Sequence, residues 1–284
     1  MAGLADANLL IDETVSVFKI QMMKTGVFAF IHSVGPLNRM ERDSQGKLFS
    51  STQNTQALQA TSLAMYNATV TNAYLQRVES LKTPLPEISQ IIEEFYTSNH
   101  GDLTQVVKGK IPGMIKNAEI EINNMMGGEA VQAAIINPTL NALSNHITNR
   151  STHNAMMIDM DRRVKDRYEK FSGPRAEDIL QRFARNMNDL MAIGFQLSWI
   201  RYVGGLIETS RDFCIERDGG YYHVAEVRLW PRQEGDWDGR LPGTNKYTIF
   251  RNAGGYACRH TFEYVDAKSV PQSVKDRARR KGFV

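Results

Sequence analysis

Residues 199–214 run Trp-Ile-Arg-Tyr-Val-Gly-Gly-Leu-Ile-Glu-Thr-Ser-Arg-Asp-Phe-Cys, and the pattern of the whole chain turns over at Gly204-Gly205 within them. Upstream, from about Asn8 to Tyr202, apolar residues recur every three or four positions and helix breakers are far apart, which predicts long helices. Downstream, glycines are frequent, and aromatic and β-branched residues come in short runs such as Tyr221-Tyr222-His223-Val224 and Tyr247-Thr248-Ile249-Phe250. Short apolar runs bounded by turn residues predict strands. The expected fold is mainly α with a small C-terminal α+β module. It divides into a helical region 1–203, a Gly-rich, short-stranded module 204–267 and a basic tail 268–284.

The breakers predict where the upstream helices stop. A first helix over about 8–33 ends at Gly35-Pro36, and the polar stretch from Arg39 to Asn54 reads as a loop. A second runs from about Thr55 to Leu81, ahead of Thr83-Pro84-Leu85-Pro86. Glu87 to Tyr96 ends at Asn99-His100-Gly101, where Gly suits a left-handed cap. Asp102 is a candidate N-cap for a helix that Pro112 interrupts, and Gly127-Gly128 breaks the pattern again. Asn137-Pro138 reads as the opening of a helix toward Phe171, and Ser172-Gly173-Pro174 as the opening of a last one to about Tyr202.

Length and composition set outer limits. A chain of 284 residues with 23% charged and 42% hydrophobic residues suits one or two folded domains rather than a disordered chain. Thirty-four basic against thirty-one acidic residues leave +3, too little for a chain-wide field that holds nucleic acid. The positive charge is local instead: residues 268–284 carry six basic side chains and one acid. Within this tail Lys275, Arg277, Arg279, Arg280 and Lys281 are candidates for contact with phosphate or an acidic protein surface, and a solvated end is the plain alternative. Two cysteines exclude a disulfide-rich scaffold. The start, MAGLADANLL, has no secretory pattern, and the longest apolar run, Val27 to Ile31, is far short of a membrane span, so no membrane role is expected.

Chemistry concentrates in the C-terminal module. Cys214, His223, Cys258 and His260 are residue types that bind a structural zinc, with Cys258-Arg259-His260 at one-residue spacing. Their spacing is not that of a standard finger, and the cysteines serve equally as buried small hydrophobes or as a disulfide under oxidising conditions. Glu226 and Asp236 near His223 offer an acid/base set, and Arg211, Arg251 and Arg259 offer phosphate contacts, but no nucleophile is fixed by spacing. Met125-Met126, Met156-Met157 and the histidines of the helices, His146 and His153 among them, read as packing or surface residues. No phosphate-binding or hydrolase glycine motif is present.

One set of motifs in this module resembles a known family. Trp199-Ile200, Thr209-Ser210-Arg211-Asp212-Phe213-Cys214, Arg217-Asp218-Gly219, Glu226-Val227, Trp237-Asp238-Gly239, Pro242-Gly243-Thr244-Asn245 and Gly254-Gly255-Tyr256-Ala257-Cys258-Arg259-His260 together resemble the C-terminal domain of phage minor head proteins of the phage Mu F-like head morphogenesis group. Ala257 stands where that family commonly has Asn. The resemblance covers about residues 195–265, and the helical region matches only in character.

It implies a non-enzymatic virion component of a tailed phage, made in the host cytoplasm and placed in the head or neck near the portal vertex. Its partners would be portal and capsid proteins, further copies of itself and, through the tail, packaged DNA. Arg211, Phe213, Cys214, Trp237, Gly255, Cys258, Arg259 and His260 would be the scaffold of the module. Two other readings follow from the same resemblance: a head-to-tail adaptor ring, and a nuclease-like enzyme using His223, His260, Arg211 and Arg259.

Overall fold

The computed structural model describes residues 4–284, apart from the side chain of Asn72; Met1-Ala2-Gly3, part of the segment read for a secretory pattern, lie outside the described residues. The fold is mainly helical with one small antiparallel sheet near the C-terminus, as the change of pattern at Gly204-Gly205 predicts. Helices α1 (Leu4–Asn38), α2 (Thr52–Thr69), α3 (Asn72–Ser80), α4 (Leu85–His100), α5 (Gln105–Lys108) and α6 (Ile111–Met126) come first. They are followed by α7 (Gly128–Val131), a π-helical turn (Gln132–Ile136), α8 (Asn137–Thr148) and α9 (His153–Gly194). The C-terminal part holds β1 (Trp199–Val203), α10 (Asp212–Ile215), β2 (Tyr221–His223), α11 (Val224–Val227), α12 (Trp230–Gln233), α13 (Ile249–Asn252), β3 (Thr261–Val265) and α14 (Gln272–Arg280).

Two prolines do not mark helix boundaries where the sequence predicts. Pro36 lies inside α1 and Pro174 inside α9, which runs unbroken from His153 to Gly194. A proline inside a helix removes one bond, here to the carbonyl of His32 for Pro36 and of Lys170 for Pro174, and crowds that carbonyl, yet both helices continue past it. Ser172 Oγ donates to the Glu169 carbonyl at 3.2 Å, and Ser33 Oγ to that of Ala29 at 2.8 Å. Asn137 does begin α8 with Pro138 in its first turn, as expected, but it caps nothing, because the chain is already helical there at φ −57°, ψ −48°. The bond that Pro138 cannot donate is absorbed by the wider π turn just before it.

Other breaks fall where the sequence gave weaker signals. The helix expected over 55–81 divides at Val70–Thr71, where Thr71 caps α3 through Tyr74 N–H. Asp102 caps nothing; Thr104 precedes α5, and Pro112 falls in the first turn of α6. The helix read from Asn137 toward Phe171 stops at Thr148, and the last helix stops at Gly194, so Trp199–Val203 is a strand. Ile249–Asn252 is a helical turn rather than the strand expected from its β-branched and aromatic residues. Gly101 does end α4, at φ 89°.

The chain divides into two compact units that interleave along the sequence: residues 1–12, 84–119 and 177–284, and residues 13–83 and 120–176. The second unit is helical apart from the segment of residues 40–51, where isolated β-bridges join Arg42 to Leu48 and Lys47 to Thr152. Its core holds Phe18, Met22, Met65, Tyr74, Ile122, Met126, Ile135, Leu143, Met160, Val164 and Tyr168, each at most 1% exposed. The Tyr74 hydroxyl, buried here, donates to the Met126 carbonyl at 2.5 Å. Burial pushes the phenols of Tyr74 and Tyr168 up, because a phenolate would lose its hydration.

The first unit contains the sheet, in the order β2-β1-β3 and antiparallel throughout. Trp199 faces His223 on one side and Val265 on the other, and Tyr202 faces Phe262. The basic end packs on this unit as α14: Ala278 and Val270 are buried with Trp199, against Tyr221, Val265, Val274 and Phe283. By length and composition α1 is apolar enough to cross a membrane, a property that the short run Val27–Ile31 by itself does not carry.

Candidate functional site

The site is assembled around β1 and the loop that leads into β3. Tyr202 is fully buried near the end of β1, and its hydroxyl lies 3.6 Å from Cys214 Sγ and 3.7 Å from Cys258 Sγ. The two sulfurs are 3.8 Å apart and both cysteines are free and buried. His260 Nδ1 is 4.0 Å from Cys258 Sγ, and its Nε2 lies 3.1 Å from Asp218 Oδ1. The His260 ring stacks on Tyr202 at 4.8 Å between centroids and 12° between planes. One donor atom each from Cys214, Cys258 and His260 thus lie within 4.8 Å of one another in a buried cluster.

Glycines make room for this. A Cβ on Gly254 would come within 2.5 Å of Cys214 Sγ and 3.0 Å of Cys258 Sγ, so no other residue fits without moving the sulfurs. Gly255 holds φ 109°, and a Cβ there would strike the Gly239 carbonyl. Ala257, by contrast, sits at φ 50° without being glycine. Asn tolerates this left-handed region better than Ala, which gives a backbone reason for the Asn of the resembled motif.

Helix α9 holds the loop by a ladder of polar groups on one face. Asp178 Oδ1 accepts from Ala257 N–H at 2.7 Å. Arg185, 2% exposed, donates to the carbonyls of His260 at 2.9 Å, Arg251 at 3.1 Å and Cys258. Asn188 donates to Thr261 Oγ1 at 3.1 Å, and Asp189 accepts from the Tyr264 hydroxyl. Residues 178, 185, 188 and 189 share a face because the helix repeats every 3.6 residues. Neither these four nor Tyr202 belongs to the motifs read from the sequence, and Asp218 enters them only as part of Arg217-Asp218-Gly219, with no role of its own. The legible signal was polar residues at helical spacing among Ile179, Leu180, Phe183, Ala184, Met187 and Leu190.

The electrostatics follow from burial and from these bonds. The Cys258 thiol is held well below its usual value by the bond from Cys214, against the cost of burial, with His260 and the Arg185 guanidinium adding to the effect. The Cys214 thiol is pushed up by the same pairing and by burial. Burial raises Asp178, opposed by its bond from Ala257, and raises Asp189 to about 6. A donor cluster of this kind can take a thiophilic metal ion, or close into a disulfide in oxidising surroundings.

The remaining sequence candidates fall into three groups. Arg211, Phe213 and Trp237 brace the cluster: Arg211 donates to the Tyr256 carbonyl at 2.6 Å and pairs with Asp238 at 3.3 Å. Phe213 and Trp237 stack at 4.4 Å, and Trp237 Nε1 donates to the Gly254 carbonyl at 2.9 Å. Arg259 points elsewhere, to Asp12 and to Glu177 at 3.6 Å. His223 does not join the cluster and cannot complete a four-ligand set. As the residue before α11, it accepts from Ala225 N–H at 3.3 Å and packs edge-on against Trp199, with burial lowering its pKa.

Glu226 is 8% exposed and receives Arg277 at 3.3 Å and Lys281 at 3.5 Å, so it serves the docking of α14 rather than an acid/base pair with His223. Of the tail cations, Arg277 also donates to the Tyr221 carbonyl, Arg279 pairs with Asp276 at 2.8 Å, Arg280 is exposed and Lys275 is half-buried. His146 pairs with Asp159 at 2.9 Å beside a polar cleft of about 710 Å³ in the helical unit, and His153 contacts the Leu37 carbonyl at 3.0 Å. Compared with known proteins, the chain matches no family model, no curated protein and no solved structure.

Proposed function

We propose that the chain is a structural component of a tailed-phage virion, a minor head or head-morphogenesis protein of the phage Mu F-like kind that acts near the portal vertex through protein contacts rather than catalysis. One observation carries this reading: the residues of the resembled motif are used on each other. Arg211, Phe213, Trp237, Gly255, Cys214, Cys258 and His260 bond, stack or close against neighbours inside the module. Residues spent on internal bonding are what a scaffold requires. A nuclease needs two groups converging on an open site, whereas His223 caps a helix and His260 is 3% exposed.

The helical unit supports the same reading. Along α1, Val17, Ile20, Met23, Val27, Phe28 and Ile31 leave between 39% and 60% of their surfaces exposed at helical spacing. An apolar stripe of this kind suits contact with portal subunits or with further copies of the chain. The exposed cations of α14 would face packaged DNA or an acidic partner surface.

The test is an electron cryomicroscopy reconstruction of particles carrying the tagged chain, together with incubation of the purified protein with DNA and RNA. Density for the chain at the head vertex, with both nucleic acids left intact, is the expected result. A twelvefold ring below the portal would make it an adaptor instead. Nucleic-acid cleavage that His260→Ala abolishes without changing oligomeric state would overturn the structural reading.

A further inference from the structure

We propose that Cys214 Sγ, Cys258 Sγ and His260 Nδ1 bind one zinc ion, with the phenolic oxygen of Tyr202 at the fourth corner of the tetrahedron. Two thiolates each about 2.3 Å from zinc at a tetrahedral angle lie about 3.8 Å apart. The two sulfurs here are 3.8 Å apart. A thiolate and an oxygen ligand on one zinc are separated by about 3.5 Å; Tyr202 Oη is 3.6 and 3.7 Å from the sulfurs. The Cys258–His260 separation of 4.0 Å needs to close by about half an ångström, since a thiolate and an imidazole nitrogen on one zinc lie about 3.5 Å apart.

Three features beyond the donor distances fit a metal. Asp218 accepts from His260 Nε2–H, which fixes the tautomer and leaves the Nδ1 lone pair toward the sulfurs, the arrangement in which a carboxylate orients a ligating histidine. Gly254 closes one side without a Cβ that would occupy the space beside the sulfurs. The donors come from separate pieces of chain, α10, β1 and the loop entering β3, which a single ion would tie together where regular structure is sparse. Sulfur donors select zinc over magnesium or calcium. Binding replaces the thiol protons, which leave to solvent, and two thiolates neutralise the dication, so no oxidant or reductant takes part. His223 lies outside this set, and a zinc here does not depend on the virion reading.

The experiment is metal analysis of the full chain purified under reducing conditions, with cobalt(II) titration of the same protein after metal removal. Roughly one zinc per chain is expected, with a thiolate-to-cobalt charge-transfer band that saturates at about one equivalent. His223→Ala should keep the zinc, whereas Cys258→Ser should lose it. Asp218→Asn, which touches only the orienting carboxylate, should weaken zinc binding by about 10- to 100-fold. Should Cys258→Ser fail to fold, the cobalt spectrum of the unmutated protein still decides. Zinc below about a tenth of an equivalent with no charge-transfer band, or a mass two hydrogens light from a Cys214–Cys258 disulfide, overturns the site.

Discussion

In the helical unit of residues 13–83 and 120–176, the backbone satisfies itself within the helices, and the core needs only apolar side chains at the right spacing. In residues 199–265 only thirteen residues lie in strands and the helices are single turns, so much of the backbone must find its partners elsewhere. It finds them in individual side chains: Arg185 on three carbonyls, Asp178 on Ala257, Trp237 on Gly254, Arg211 on Tyr256. A periodic core spreads its stability over many interchangeable contacts, whereas a side-chain-clamped loop concentrates it in a few that cannot be exchanged.

The sharpest way to break this comparison is Arg185→Met. It keeps volume and removes the donors to three buried carbonyls, so a loss of about 3–5 kcal/mol in unfolding free energy is expected from denaturant titration. A cost under about 1 kcal/mol would mean that the clamp is dispensable.

Asp189 gives an intermediate effect with a sign. Its carboxyl goes from 3.8 to about 6 on burial beside Tyr264, so between those values the folded chain binds more protons than the unfolded one. Stability from this group is therefore highest below the lower value, falls as pH rises through the window and levels off above it. Asp189→Asn should remove about 3 kcal/mol of that decline between roughly pH 4 and pH 7, read as the difference between the two proteins in unfolding at each pH. Parallel pH profiles for the two proteins would count against a buried, neutral Asp189.

The smallest effect belongs to the helical unit. Ile122, buried in α6, should lose only about 0.5–1.5 kcal/mol as Ile122→Val, because neighbouring apolar groups relax around one missing methyl. If Ile122→Val cost as much as Arg185→Met, the two regions would not differ in the way described.

The readability of the sequence follows the same line. Alternation of apolar and polar residues gives the helical class, the C-terminal sheet and Tyr221–His223 as a strand, and Gly101 as a cap. Proline was over-read as a helix boundary at Pro36, taken as a stop, and at Pro174, taken as a start, because one lost bond does not by itself end a helix that packing holds. In the candidate site, Cys214, Cys258 and His260 were legible by residue type and motif. His223 was grouped with them by proximity in sequence, yet as β2 ends it turns to cap α11. Tyr202 carries no such signal, and Asp218 stood in a motif without a role, since an acid in a loop and a tyrosine in a strand are commonplace until the fold brings them together.

The sequence by itself determined the mainly helical class, the small sheet near the C-terminus and the residue types that could carry chemistry, because those depend on periodicity and side-chain identity. Only the tertiary structure decided which of them meet. The sulfurs come from positions 44 residues apart, and the arginine that clamps their loop lies 73 residues before Cys258. Contacts across such separations are fixed by packing, which leaves no local trace in the chain.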